Sequence, residues 1–293
     1  MLAAALTVGS AAFLVRQRQA GLKRRTMLIL LALGVVLVPL VSRVFVQLTR
    51  YAVRGFSGFV LLSCKPYDYA LCGTMLGLFL AAVLTARLTH QRAARVLDAL
   101  APAGLLALAV ARFGETFSDF GWGQLVLDPR GQLFPVAVQD LYGQWHLAVF
   151  MLEGVLALGI GLWAWRLGGS EGRCFAASLL WLSMTQVFCE SLRAETIRWG
   201  FVRVQQVACA AFGLALLLWA LAGRRRLRAG AAGVGVYLAG VAVVALMEYA
   251  LDKLPMPVAF DYVVMAAALA GMGAAVMRAC ASDGKEAGTS HAA

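Results

Sequence analysis

Charged residues are scarce in this sequence. They make up 14% of its 293 residues, whereas soluble globular domains carry about 25%. Hydrophobic residues make up 61%, and the mean hydropathy is +0.78. A chain of this composition has too few polar groups to cover a soluble surface, so a soluble fold is excluded.

The sequence also lacks the cysteine and histidine patterns of metal sites. Its six cysteines include no CxxC pair, and its three histidines are far apart. We therefore expect no metal ion and no cofactor. Cys64 and Cys72 are candidates for a disulfide if both lie near the outer surface. The more common role of a cysteine in an apolar helix is that of a small hydrophobic side chain.

Basic residues outnumber acidic ones, 26 to 15, which gives a formal net charge of +11. In a membrane protein such an excess is first explained by cytoplasmic loops that are rich in Lys and Arg. We therefore infer no role in nucleic-acid binding.

Long apolar runs are abundant. A run of about 18 to 20 apolar residues is long enough to cross a bilayer as a helix. A shorter run at 1–15 is not a secretory signal, because its basic residues follow the apolar stretch. The predicted fold class is an all-α, polytopic transmembrane helix bundle of about nine spans. Besides 1–15, the predicted spans are 27–47, 69–86, 97–113, 146–165, 174–190, 204–222, 231–251 and 258–277.

Most of the 26 basic residues fall in alternate connections, beginning with the group between Arg16 and Arg25. Connections rich in Lys and Arg face the cytoplasm. The pattern predicts an amino terminus outside and a carboxyl terminus inside, in agreement with an odd number of spans.

Several arginines oppose this trend, because they lie at the predicted outer ends of helices. A charge at membrane depth costs at least about 2.5–3.5 kcal/mol, so it pairs with a carboxylate, binds an anion or faces the bundle interior. Each single arginine could instead anchor the protein by extending to lipid phosphates. The five are Arg43, Arg112, Arg193, Arg198 and Arg203.

Acidic residues lie beside these arginines. They are Glu115, Glu190 and Glu195, and the i, i+3 spacing of Glu190 and Arg193 allows one helical face to present both. A carboxylate that holds an arginine directs its planar fork toward a phosphate. The pattern favours an anionic lipid headgroup as the ligand.

The connection at residues 114–145 is much longer than an ordinary connector, and long connections are usually functional or disordered. It is rich in glycine and in aromatic residues. Because Trp and Tyr favour the membrane interface, we predict an amphipathic arm there. Function is therefore expected on the outer face.

Several short motifs occur in a fixed order between Arg43 and Gln206. In this order and spacing, they resemble the motifs of the prolipoprotein diacylglyceryl transferase family. They are Ser42-Arg43-Val44-Phe45, Asp98 to Pro102, Ala111 to Gly123, Glu153-Gly154, Glu190-Ser191-Leu192-Arg193 and Gln206.

The segment from Ala111 to Gly123 resembles the family signature Gly-Arg-x-Gly-Asn-Phe-x-Asn-x-Glu-x-x-Gly. It keeps the arginine as Arg112 and two glycines as Gly114 and Gly123. Other positions depart from the family. Its two asparagines and its glutamate are replaced by Glu115, Ser118 and Phe120, and its His-Gly-Gly by Cys72-Gly73-Thr74.

The resemblance implies transfer of a diacylglyceryl group from phosphatidylglycerol to the lipobox cysteine of a prolipoprotein signal peptide, in the bacterial inner membrane. It implies a family-like membrane domain at 1–223. Two further transmembrane helices follow at 224–281 and a cytoplasmic tail at 282–293. The residues that it implies for catalysis are Arg112, Glu115, Glu190, Arg193 and His146. Those for substrate binding are Arg43, Cys72, Gly73, Gly114, Gly123, Arg203 and Gln206.

The chemistry assigns roles to some of these residues. Arg112 and Arg193 would stabilise the leaving phosphate. Glu115 and His146 are alternative bases for the substrate thiol, and Glu190 would orient an arginine. Cys72 as a nucleophile is less favoured than Cys72 as a packing residue beside Gly73.

Two other classes of function stay open. The departures from the family pattern fit a lipid-binding or assembly protein without catalytic activity. The arginines together with Glu153 and Glu248 could also line the anion path of a transporter. The lack of an inverted repeat makes a transporter the least favoured of the three.

Overall fold

The computed structural model describes residues 1–54, 69–118, 121–167, 171–194, 196–199, 202–222, 227–253 and 258–281. Within these residues the chain forms nine α-helices and two short antiparallel strand pairs, β1 with β2 and β3 with β4. The helices are α1 (Leu2–Gln19), α2 (Arg25–Arg54), α3 (Leu71–Leu88), α4 (Ala93–Gly114), α5 (Val149–Arg166), α6 (Arg173–Leu192), α7 (Val204–Ala222), α8 (Leu227–Lys253) and α9 (Val258–Ala281). The strands are β1 (Ala137–Gln139), β2 (Trp145–Leu147), β3 (Arg198–Trp199) and β4 (Val202–Arg203).

Seven of the helices in the described part, α2 to α6, α8 and α9, are long and apolar enough to cross a membrane. The all-α, multi-pass membrane class is therefore confirmed. The two other predicted spans also form helices. The apolar part of α7, Val204–Trp219, is shorter than the seven, and α1 ends in the polar sequence Arg-Gln-Arg-Gln. The direction of the termini stays a prediction.

The chain divides into two compact units. The first comprises Met1–Ser178 and Arg193–Ile197, and the second comprises Leu179–Leu192 and Arg198–Ala293. Helix α6 contributes its first residues to the first unit and its remaining residues to the second. The sequence analysis divided the chain differently, after residues 223 and 281, on the basis of the family resemblance. That division stays a prediction.

In the first unit, α4 packs against α1, α3 and α5, while α2 packs along α3. Alanines fill the core between these helices, among them Ala81, Ala82 and Ala103. Small residues let membrane helices approach closely, which favours their association where the lipid provides no hydrophobic drive. Asp98 of α4 also holds the start of α6 within this unit. Its carboxylate accepts from the backbone N–H groups of Gly172 at 2.6 Å and Phe175 at 2.8 Å.

The connection between α4 and α5, residues 115–148, is termed the arm below. It is ordered in its described part, where β1 and β2 form a hairpin with Ala137 opposite Leu147. Two single bridges, Gly123 with Arg193 and Leu125 with His146, extend this pairing. The long connection was therefore predicted correctly, although the hairpin was not foreseen.

Two predicted helix ends are wrong. Arg43 does not end a helix, because α2 continues to Arg54 without a glycine or proline to stop it after this position. His146 does not open α5, which begins at Val149, because the hydrogen bonds of β2 hold His146 in the hairpin. Cys64 and Glu195, and with them the predicted disulfide and one of the predicted arginine partners, lie outside the described residues, as does the tail 282–293.

In the second unit, α8 and α9 pack along each other and α7 packs against both. The phenol of Tyr237 in α8 is fully buried and donates to the backbone oxygen of Ala210 in α7 at 2.6 Å. This contact fixes α8 against α7 in the middle of the unit.

Candidate functional site

Glu153 is the centre of an ion-pair network in the first unit. Its side chain is fully buried, and two arginines contact it from different parts of the chain. Arg193 donates to Oε1 from Nη2 at 2.7 Å and from Nε at 3.2 Å. The Nε atom of Arg112 lies 2.6 Å from Oε2 of Glu153. One carboxylate therefore holds both guanidinium groups in fixed positions.

Glu115 forms a second ion pair with Arg112, at Nη1, from the turn that follows α4. Gly121 lies against this pair, since a side chain at its position would meet the Glu115 carboxylate and, at 3.5 Å, Nη1 of Arg193. Its φ of +79° also favours glycine. We call Arg112, Glu115, Glu153 and Arg193 the charge cluster.

The charge cluster is partly open. The side chains of Arg112 and Arg193 are 14% and 12% exposed, and that of Glu115 is 23% exposed. Two arginines and two carboxylates balance in charge, which lowers the cost of placing them at membrane depth. A guanidinium carries five N–H donors, so an arginine held by one carboxylate can also contact a phosphate.

Close packing of α4 on α5 brings Arg112 to Glu153. Gly154 follows Glu153, and the ring of Phe113, next to Arg112, lies where a side chain on Gly154 would be, only 2.5 Å from such a Cβ. The absence of a side chain thus lets the two helices touch beside the ion pair.

Backbone pairing with the arm positions Arg193. Helix α6 ends at Leu192, and Arg193 forms an antiparallel bridge with Gly123. The N–H of Ala194 donates to the oxygen of Trp122 at 3.1 Å. The predicted pairing of Glu190 with Arg193 stays a prediction. Gly123 thus contacts Arg193 through its backbone, and its role in substrate binding stays a prediction.

His146 belongs to the hairpin, where its ring stacks on Trp122 with centroids 5.0 Å apart. Its Nε2 lies 3.3 Å from Oδ2 of Asp140. Burial acts to raise the pKa of Asp140, but hydrogen bonds from the N–H groups of Gln144 and Tyr142 and from His146 outweigh it and lower the pKa. Asp140 is therefore an ionised partner that orients the His146 ring.

Four other predicted residues lie in helix contacts of the first unit. Arg43 is buried, with its guanidinium 5.9 Å from the ring centre of Tyr69. Cys72 is also buried, and Gly73 packs on Ser42, whose Cα would be 2.6 Å from an added Cβ. Gly114 packs on the side chain of Met1. These contacts support packing roles for Cys72, Gly73 and Gly114.

The second unit contains the other predicted residues, Glu190, Arg203 and Gln206, all buried. Arg203 donates from Nη1 to the backbone oxygen of Glu190. The Glu190 carboxylate accepts from the amide of Gln205 at 2.9 Å. Gln206 donates to the oxygen of Val187 at 3.0 Å. These bonds join the end of α6 to the start of α7.

A carboxylate that the site prediction omitted completes this second group. Glu248 of α8 accepts from Nε2 of Gln206 at 2.7 Å and lies 3.6 Å from Nε of Arg203. Glu153 was likewise omitted from the predicted site. Both were visible as acidic residues inside apolar runs, a signal that itself marks a candidate functional position.

Within the described ranges, no group of three or more His, Cys, Asp or Glu side chains is placed to hold a metal ion. The charge cluster consists of guanidinium and carboxylate groups, which bind anions and move protons.

Helices of membrane-spanning length that carry an arginine–glutamate cluster define an integral membrane protein with a site suited to an anionic group. A family model described as prolipoprotein diacylglyceryl transferase matches residues 1–222. The chain belongs to this family of membrane transferases.

Curated relatives named phosphatidylglycerol–prolipoprotein diacylglyceryl transferase support the assignment. The chain is 24% identical to that of Clostridium novyi over 179 residues, which cover 59% of this chain and 70% of the relative. It is 31% identical to that of Legionella pneumophila over 131 residues, 44% and 51% of the two chains. It is 33% identical to that of Coxiella burnetii over 133 residues, 44% and 50%. The match thus spans about half the length of the latter two relatives.

Proposed function

We propose that this protein transfers the diacylglyceryl group of phosphatidylglycerol to the lipobox cysteine of prolipoproteins, in the bacterial inner membrane. The family assignment supports the reaction class, and the names of the relatives support both substrates. The observation that carries the proposal is the pair of partly exposed arginines, Arg112 and Arg193, held by one fully buried carboxylate, Glu153.

The reaction is a displacement at carbon. The thiolate sulfur of the acceptor attacks the glycerol carbon that carries the phosphate ester. A sulfur–carbon bond forms while the carbon–oxygen bond to phosphate breaks, and the electron pair of that bond leaves with glycerol phosphate. The product is a thioether, and the thiol proton passes to a base.

Negative charge grows on the leaving phosphate, so donors already held in place stabilise the transition state more than donors that must reorganise. Arg112 and Arg193 meet this requirement, because Glu153 fixes both before substrate binds. Glu153 is thus a positioning residue, whereas the two arginines are the catalytic candidates.

Glu115 and His146 remain the two candidates for the base. Glu115 lies in the charge cluster, next to Arg112, and His146 lies in the hairpin with Asp140 as its partner. A comparison of Glu115→Gln with His146→Asn tests them. Loss of the acidic limb of the pH–rate profile in one variant would assign the base to that residue, since this limb reports its protonation.

Transfer can be tested with the purified full-length protein in mixed micelles. The substrates are phosphatidylglycerol with deuterated acyl chains and a synthetic lipobox peptide. We expect the peptide cysteine to gain one deuterated diacylglyceryl group by mass spectrometry, with release of one glycerol phosphate. A peptide with Cys→Ser controls for the acceptor atom.

A pair of Arg→Lys variants tests whether the reaction depends on the charge cluster. Arg112→Lys keeps the charge but loses the planar fork, and we expect its rate to fall by at least about 10²-fold, as for other lost transition-state donors. Arg130→Lys, in an exposed turn of the arm, should keep the rate. Binding of phosphatidylglycerol without any adduct, beside an active relative, would instead support a lipid-binding protein without catalytic activity.

A further inference from the structure

Helix α8 lies beyond residues 1–222, the part of the chain that matches the family. It nevertheless contacts residues inside the matched part. Glu248 of α8 is buried and contacts the side chains of both Arg203 and Gln206. The family resemblance assigned these two residues to substrate binding.

We propose that Glu248 is a positioning residue for the substrate-binding segment at the start of α7, and that α8 therefore contributes to lipid binding. The inference rests on the proposed function. It implies that two substrate-binding residues of the matched part are supported by a helix outside the family match.

The apolar surroundings of Glu248 explain why its charge depends on these contacts. Glu248 and Gln206 lie in the wall of a cavity whose other lining residues are apolar, including Val207, Leu269 and Met272. A carboxylate in such surroundings has no water to stabilise its charge, so it depends on its partners. Arg203 balances the charge, and the amide of Gln206 supplies a hydrogen bond.

The same contacts restrict Arg203 and Gln206. Arg203 lies between the Glu248 carboxylate and the backbone oxygen of Glu190. Gln206 donates from one nitrogen to Glu248 and to the oxygen of Val187. Without Glu248, both would lose a contact that restricts their side-chain orientation, and the buried Arg203 would lose a carboxylate that balances its charge.

The test compares Glu248→Gln with Asp252→Asn in the full-length protein. Asp252 is a matched control, because it lies one turn further along α8 and pairs with an arginine, Arg198, at 3.9 Å, but is exposed. We expect Glu248→Gln to raise the KM for phosphatidylglycerol about tenfold with a smaller change in kcat, because it disturbs binding of the lipid. Asp252→Asn should leave both unchanged.

A binding readout separates this inference from the proposed function. Phosphatidylglycerol should raise the Tm of the wild type and of Asp252→Asn, and raise that of Glu248→Gln much less. If wild type binds lipid but forms no adduct, the proposed function fails while the Tm shifts still test Glu248. Equal KM values and equal Tm shifts in Glu248→Gln and wild type would overturn the inference.

A double variant covers the case in which Glu248→Gln does not fold. Arg203→Gln with Glu248→Gln removes both charges of this buried contact, which is tolerated better than removal of one partner alone. We expect this variant to fold and to lack the Tm shift with phosphatidylglycerol. A normal Tm shift in the double variant would show that Glu248 and Arg203 serve stability alone.

Discussion

Arg193 donates two hydrogen bonds to a single oxygen of Glu153, a residue that precedes it by 40 positions in the chain. The other oxygen of Glu153 lies 2.6 Å from Arg112. One buried carboxylate of α5 thus links Arg112, near the end of α4, with Arg193, which follows α6 in the chain. Substitution of Glu153 should therefore affect both arginines at once.

For Glu153→Gln, we expect a loss of about 3 kcal/mol in the free energy of unfolding, since two largely buried arginines lose the charged carboxylate that they share. Transfer activity should fall with it, and Glu153→Asp should recover part of both. Unfolding in a denaturing detergent measures the stability. Glu171→Gln is the control. Its exposed ion pair with Arg95, at 2.5 Å, should contribute little to stability, because solvent screens the two charges.

Gly154→Ala should disrupt the contact between α4 and α5. The new methyl group would lie within 3 Å of the Phe113 ring, and overpacking of this kind costs about 1–3 kcal/mol. Activity should fall more than stability, because the shift separates Arg112 from Glu153. Gly159→Ala, on the same helix with no atom within 4 Å, should change neither property. Recovery of activity by an added Phe113→Leu would confirm the steric cause.

Asp98→Ala should loosen the start of α6. The carboxylate accepts from two N–H groups that have no partner within the helix, and bonds from a charged group of this kind contribute about 1.5–3 kcal/mol each. Hydrogen exchange at residues 172–176 should accelerate, while exchange in the hairpin of the arm stays unchanged. Unchanged exchange at the start of α6 would contradict this role.

The hairpin should loosen in acid but not near neutral pH. The pKa of Asp140 lies below its ordinary value of 3.8, so its stabilising contribution is fully present above that value. It is lost as the pH falls through the lowered pKa. Hydrogen exchange of residues 137–147, corrected for the intrinsic rate, should rise below about pH 4. Asp140→Asn should raise exchange at all pH values and remove the pH dependence.

The site could be predicted only in part. The order of the motifs identified Arg112, Glu115 and Arg193, and the structure brings these three together with Glu153. Glu153 was recognised as a motif residue but not as the partner of the arginines. The backbone pairing of Arg193 with the arm was not foreseen, because it joins Arg193 to Gly123, which lies 70 positions earlier in the chain.

The sequence by itself determined the class of the protein. A bilayer requires long apolar helices whatever their neighbours are, so composition and run length were enough to predict the membrane bundle and the approximate bounds of its helices. Only the tertiary structure decided which carboxylate holds which arginine. Glu153 meets Arg193 across 40 residues, and Glu248 meets Gln206 across 42, through packing that no local pattern encodes. Small residues, such as Gly154, set how closely the helices approach, and that approach decides the ion pairs.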